Sequence, residues 1–99
     1  MRIKWLRLAL QDINEIAEYI ALDNPHAARQ LVKQIWLKAT LLSAHPEIGR
    51  PGRVSGTREL FIDGTRYIVP YRIVEDQIQI LRVLHTSRNW PDNFEDTRP

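Results

Sequence analysis

The chain has 99 residues, 43% apolar and 26% charged, a composition typical of a globular domain and unlike that of a disordered or membrane protein. This length predicts a single domain over residues 1–99 with a small core, and no apolar run is long enough to span a bilayer. The absence of cysteine excludes disulfides and thiolate chemistry and is typical of a reducing cytoplasm. The net charge is +2, and eleven of the fourteen basic residues are arginine, whose planar fork of donors suits phosphate or carboxylate. The arginines therefore predict an anionic partner without identifying it.

The first elements along the chain are predicted to be a strand and two helices. Residues 2–6 alternate between polar and apolar side chains, as in a short strand with one buried face. The helix that follows has Asp12 on its predicted outer side. Its apolar stripe consists of Ile13, Ile16, Ala17, Ile20 and Ala21. Asn24 is predicted to cap a second helix that begins at Pro25 and runs to about Ala44, and the tight connection requires an antiparallel hairpin.

Three strands are predicted after a loop that is rich in proline and glycine. The loop spans residues 46–56, and the strands span residues 57–62, 66–74 and 77–85. Turns are predicted at residues 63–64 and 75–76. The whole order predicts an α+β domain, in which a helical hairpin packs on one face of a mainly antiparallel sheet and the last three strands form an antiparallel meander.

The last hairpin predicts which side chains share a face of the sheet. A two-residue turn at residues 75–76 places Arg72 and His85 on one face, opposite a better core face that carries Arg82 and is expected to receive the helices. Pro70 cannot donate to a ladder, so a bulge or an open edge is expected at that point. A bulge or a one-residue slip would rearrange these faces.

Two parts of the sequence resemble one known family. The motifs GRPGR, GTREL, YIVPYRI and ILRVLHTSRNWP, within residues 49–91, resemble the RelE/ParE superfamily of bacterial type II toxins. The segment INEIAEYI at residues 13–20, followed by DNP at residues 23–25, is similar to the same superfamily. The resemblance covers residues 3–91 and implies a small cytoplasmic toxin with a cognate antitoxin, which is usually an acidic DNA-binding dimer.

The two branches of this superfamily imply different targets. RelE-like members are ribosome-dependent endoribonucleases, which need a base, cations for the crowded phosphate and an acid for the leaving oxygen. Arg58, Arg72 and His85 are the candidates for those roles. That branch commonly has a tyrosine just after the position of His85 and lysines before the second strand, where this chain has Thr86 and only arginines. ParE-like members poison DNA gyrase without being nucleases, and the ending LHTSRNWP at residues 84–91 is more similar to them.

The lead prediction is therefore a ParE-like gyrase inhibitor that is not an enzyme and uses no cofactor or metal ion. The alternatives are a RelE-like mRNA endonuclease acting on the ribosome, and a non-toxic module that only binds its antitoxin. The predicted target-binding residues are Arg50, Arg53, Arg58, Arg72, His85 and Arg88. The antitoxin is predicted to dock near Leu31, Ile35 and Trp36, of which Trp36 is either a core residue or a partner contact. The chain is predicted to end in an acidic tail at about residues 91–99.

Each candidate also has a purely structural interpretation. Arg72 can pair with Glu59 or Glu75 across strands, in place of an anion. His85 at a strand end can satisfy a local hydrogen bond. Trp90 can cover an edge of the core, and the loop arginines can be solvated charges, although no acid lies between residues 49 and 58.

Overall fold

In the computed structural model, which describes residues 1–94, the chain forms two helices and a mixed sheet. The elements are β1 Arg2–Trp5, α1 Arg7–Ala21, α2 Pro25–Thr40, a 3₁₀ turn Leu41–Ser43, β2 Arg50–Pro51, β3 Arg58–Phe61, β4 Tyr67–Val74, β5 Gln77–Ile80 and β6 Leu84–His85. The predicted α+β class and element order are confirmed. Residues 95–99, which belong to the predicted acidic tail, lie outside the described residues.

The second helix begins where the sequence predicts. Asn24 caps α2 by accepting a hydrogen bond from the amide of Ala27 at 3.0 Å, and Pro25 occupies the first turn, where its missing N–H costs nothing. The α-helix ends at Thr40 and not near Ala44, because the chain tightens into the 3₁₀ turn. Within residues 1–94, neither helix is long and apolar enough to cross a membrane.

The sheet has the strand order β1-β5-β4-β3-β2, with β6 also paired to β4. Strands β3, β4 and β5 form the predicted antiparallel meander, and β1 lies parallel to β5 at one edge. The prediction that residues 46–56 form only a loop is wrong. Arg50 and Pro51 pair with Glu59 and Arg58 as a short strand at the other edge.

The core lies between the helices and one face of this sheet. The sheet side chains that join it are Leu60, Val69, Tyr71, Ile78 and Ile80, and the helix side chains are Ala9, Ile13, Leu31 and Ile35. Tyr71 is fully buried, and its hydroxyl donates to the carbonyl of Pro46 at 2.8 Å and accepts from the amide of Gly49 at 3.0 Å. A Cβ at Gly49 would lie 2.6 Å from the Tyr71 ring, so this close approach requires glycine.

The prediction of one continuous strand at residues 77–85 is wrong. Arg72 pairs with Gln79 as a two-residue turn requires, and the amide of Leu81 still bonds the carbonyl of Pro70 at 2.9 Å. The next pair along the ladder is Ile68 with Leu84. The chain therefore advances three residues from Leu81 to Leu84, whereas β4 advances only two, from Pro70 to Ile68. The extra residue is a bulge between β5 and β6, next to the proline that cannot support a ladder.

Candidate functional site

The bulge is held by a carboxylate that reaches across from α1. One oxygen of Asp12 accepts from the amide of Val83 at 2.9 Å and from Nε of Arg82 at 2.7 Å, and the other accepts from Nη2 of Arg82 at 3.0 Å. Asp12 is only 7% exposed, so its predicted place on the outer side of the helix is wrong. The side chain satisfies a backbone donor that the interrupted ladder would leave unpaired. Arg82 lies toward the helices, as the predicted core face implies.

The bulge moves His85 to the opposite face from the one predicted. His85 pairs with Tyr67, and the two rings meet edge to face at 5.2 Å between centroids. Tyr67 alternates with Val69 and Tyr71 along β4, so His85 faces the helix side while Arg72 faces away. The prediction that Arg72 and His85 share one face is therefore wrong. The amide of Ser87 donates to Nδ1 of His85 at 3.1 Å, which is the local hydrogen bond of the structural interpretation.

The two central arginines are engaged with neutral groups. Nε of Arg72 donates to the side-chain oxygen of Gln79 at 2.8 Å, and no carboxylate among residues 1–94 pairs with it. Arg58 donates from Nη1 to the carbonyls of Gly49 at 2.7 Å and Glu47 at 3.4 Å. Arg58 and Arg72 nevertheless line the same cavity, of about 280 Å³, at the β2–β3 end of the sheet. Both guanidinium charges therefore remain unneutralised beside this cavity.

The two loop arginines share one buried acid, which corrects the expectation that no acid lies near them. Glu59 is 2% exposed and accepts from Arg50 at 3.2 Å and from both the amide and Nε of Arg53, at 2.8 and 3.2 Å. Burial alone would raise the pKa of Glu59, but these hydrogen bonds outweigh it and lower the pKa below its ordinary value. Each guanidinium also stacks on an aromatic ring, Arg50 on Phe61 and Arg53 on Trp90.

The candidate residues therefore separate into distinct places. Arg50 and Arg53 surround Glu59, Arg58 and Arg72 line one cavity, and a second cavity of about 280 Å³ between α1 and β6 is lined by both His85 and Arg88. Arg72 and His85 thus line two different cavities.

Most of the predicted antitoxin site is unavailable to a partner. Leu31 and Ile35 are buried in the core, which corrects that prediction. Trp36 is 36% exposed and packs on Trp5 with centroids 4.1 Å apart, so it belongs partly to the core and partly to the surface.

The helical hairpin instead has an apolar groove on its outer side, which the sequence analysis missed. It has a volume of about 500 Å³, a floor of small and aliphatic side chains, the basic side chains of Arg29 and Lys33 on its α2 rim, and Glu18 on its α1 rim. The floor consists of Ala17, Ala21, Pro25, Ala28 and Val32. Small residues facing each other across the hairpin were the signal in the sequence, because they leave a channel between the helices where larger side chains would fill it.

Comparison with known proteins points to one family throughout the chain. The family described as ParE toxin of type II toxin–antitoxin system, parDE, matches residues 3–90. "Putative toxin Y4kP" of Sinorhizobium fredii is 43% identical over 90 residues, covering 91% of this chain and 93% of that protein. Toxin RelE2 of Caulobacter vibrioides is 29% identical, covering 88% and 97%. A chain of the chromosomal ParDE toxin–antitoxin system from P. aeruginosa superposes with a TM-score of 0.79 at 32% identity, covering 88% of this chain and 97% of that one.

Proposed function

This chain belongs to the ParE toxin family of type II toxin–antitoxin systems, and on that premise we propose that it inhibits DNA gyrase in the cytoplasm and is neutralised by a cognate antitoxin. The observation that carries the choice of target is the separation of Arg72 from His85 by the bulge. A target that is a protein requires a binding surface and no assembled catalytic group.

Cleavage of RNA through its 2′-hydroxyl needs proton-transfer groups and phosphate-binding cations around one scissile bond. In this chain His85 lies on the helix side beside Tyr67, and Arg72 lies on the other face beside Gln79. A single phosphate placed on Arg72 therefore has no histidine on its side of the sheet. This argues against the nuclease and for the gyrase target.

One observation favours the mRNA endonuclease as a second candidate. Arg58 and Arg72 share a cavity with no acidic side chain in its lining, so a phosphate could lie between them. If that activity exists, it depends on these arginines and not on His85. The third candidate, a module that only binds its antitoxin, predicts activity toward neither target.

Two assays on antitoxin-free protein separate the three candidates. Gyrase supercoiling, with detection of trapped cleaved DNA, tests the proposal, and cleavage of mRNA on translating ribosomes tests the alternative. We expect inhibition of supercoiling by the wild type, and no RNA products. Arg72→Ala and His85→Ala serve as matched variants, because loss of RNA cutting in Arg72→Ala alone would establish the second candidate.

For the antitoxin, we propose that an acidic amphipathic helix docks in the outer groove of the helical hairpin. The groove is apolar along its floor, as helix-in-groove recognition requires. Arg29 and Lys33 give the α2 rim two positive charges against the single acid Glu18 on the α1 rim, so the groove complements a negatively charged segment.

Charge reversal on the groove rim tests this docking site. Arg29→Glu combined with Lys33→Glu is expected to weaken antitoxin binding at least tenfold, since both charges flank the proposed helix. Arg2→Glu combined with Arg66→Glu is the matched control, because it makes the same change in net charge at exposed positions away from the groove. Equal weakening by both pairs, measured by calorimetry, would show only a general charge effect and reject the groove.

A further inference from the structure

The cavity between α1 and β6 has a polar end and an apolar wall that the proposed function does not use. Ile16 and Val83 contribute apolar surface, and Tyr19, Tyr67 and His85 contribute rings. Its volume, about 280 Å³, lies just below the usual range for small-molecule sites, about 300–1,000 Å³. That size suits one anchoring side chain of a larger partner better than a cofactor. Tyr19 is 76% exposed, a high fraction for an aromatic side chain.

Hydrogen-bond donors gather at the polar end. Burial raises the pKa of Tyr67 above its ordinary value, opposed by the charge of Arg88, so the hydroxyl of Tyr67 stays protonated and lies within electrostatic reach of Arg88. The Tyr19 hydroxyl acts on the same group. Neither the Tyr67 hydroxyl nor the Arg88 guanidinium has a hydrogen-bond partner among residues 1–94. The polar end therefore has an available cation and an available O–H donor.

The tautomer of His85 adds a further donor. A backbone N–H can only donate, so the bond from the amide of Ser87 makes Nδ1 the acceptor. The hydroxyl of Ser87 lies 2.7 Å from the same nitrogen. In the neutral ring the proton is consequently on Nε2, which donates.

Of the two acidic side chains that line the cavity, Asp12 is paired with an arginine, whereas Glu15 bonds only a neutral amide. Both oxygens of Asp12 are bonded to Arg82, and one also accepts from the amide of Val83. Glu15 accepts from Gln11 at 3.2 Å, and its charge helps to raise the pKa of Arg82, after the larger effect of the hydrogen bonds from Arg82 to Asp12. Arg88 is the one arginine or lysine in the described lining of the cavity, and it forms no ion pair within residues 1–94.

We propose that this cavity binds the carboxylate of an aspartate or glutamate side chain from a protein partner, with Arg88 and Tyr67 as its main donors. A nucleic acid fits less well, because its backbone needs an extended basic surface and this cavity has one free arginine beside two acids. The antitoxin groove uses Ala17 and Ala21 of α1, whereas the cavity uses Ile16 and Tyr19. The two sites lie on different sides of the helix, so both can be occupied at once.

The test is an NMR titration of the ¹⁵N-labelled full chain with glutamate capped at both ends as acetyl-glutamate-amide. We expect saturable shifts at the amides of Val83, His85, Ser87 and Arg88, and none with capped glutamine, which has the same shape without the charge. Arg88→Gln is expected to weaken binding at least tenfold and Tyr67→Phe by a smaller factor, while Arg2→Gln, at an exposed arginine on the edge strand β1, leaves it unchanged.

Three results would overturn the proposal. Capped glutamate that causes no saturable shift rejects the site, and equal binding of capped glutamine rejects the carboxylate as the recognised group. Inorganic phosphate that binds more tightly than capped glutamate at these amides assigns the cavity to a phosphate ligand. Each outcome is independent of gyrase inhibition, because the titration requires neither the target nor the antitoxin.

Discussion

Asp12 and Glu59 are the two acidic residues buried in the described part of the chain, and each binds arginine in a different way. Asp12 connects α1 to the sheet, with Arg82 held in a two-pronged contact and the amide of Val83 as a third donor. Glu59 lies in the β2–β3 region and divides its oxygens between Arg50 and Arg53. The first carboxylate stabilises a contact between layers, and the second stabilises a surface loop.

The comparison shows that an arginine-rich sequence need not be a free anion-binding surface. Arg82 is mostly buried and completes the core, whereas Arg50 and Arg53 keep 55% and 43% of their side chains exposed despite their shared acid. Two guanidinium groups on one carboxylate leave a net positive charge at the surface. Asp12, by contrast, determines where His85 is placed, because it stabilises the bulge that changes the register.

Asp12→Ala is expected to have the largest effect on stability, and it tests the contact between α1 and the sheet. It leaves Arg82 and the amide of Val83 without partners in a buried place, so we expect a loss of about 3–5 kcal/mol in the free energy of unfolding. Urea unfolding measures it, with Glu18→Ala at an exposed position of the same helix as the control. A loss no greater than that of the control would mean that the bulge does not depend on Asp12.

Glu59→Gln should lower the free energy of unfolding by less, about 1–3 kcal/mol, although Glu59 is the more deeply buried of the two acids. The reason is that water can solvate Arg50 and Arg53 once the carboxylate charge is removed, since both are about half exposed. The same unfolding experiment with Glu18→Gln as the control provides the value. If Glu59→Gln lowers the free energy of unfolding as much as Asp12→Ala does, the contact between layers is no more important for stability than the contact in the loop.

Lowering the pH should reduce the contribution of Glu59 to the free energy of unfolding. Its pKa is lower in the folded chain than the ordinary value of 4.5, so its contribution is fully present above about pH 4.5 and is lost as the pH falls through the folded value. Glutamine does not titrate, so the difference in the free energy of unfolding between wild type and Glu59→Gln should shrink as the pH falls below about 4.5. A difference that stays constant over this range would show that the ionised carboxylate is not the stabilising species.

Local signals were sufficient for much of the fold. The Asn24-Pro25 pair predicted the start of α2, and the turn at residues 75–76 predicted the pairing of Arg72 with Gln79. Pro70 pointed to an irregularity in the sheet at the right place. Each of these features depends on a few neighbouring residues, so a single sequence is enough to predict it.

The features that the sequence did not predict depend on contacts between distant parts of the chain. Asp12 and Val83 are 71 residues apart, and nothing in either segment indicates that one stabilises a bulge in the other. The face of His85 follows from that contact, so the predicted site failed at this residue. The sharing of Glu59 by two loop arginines likewise required β2, a two-residue strand too short to have a pattern of its own.

The most direct test of the gyrase proposal is a DNA gyrase cleavage assay with antitoxin-free protein on supercoiled plasmid. The separation of Arg72 from His85 predicts that the wild type stops supercoiling, accumulates cleaved DNA and cuts no mRNA on translating ribosomes. Unimpaired supercoiling without trapped DNA, in a protein that cuts mRNA on translating ribosomes, would contradict it.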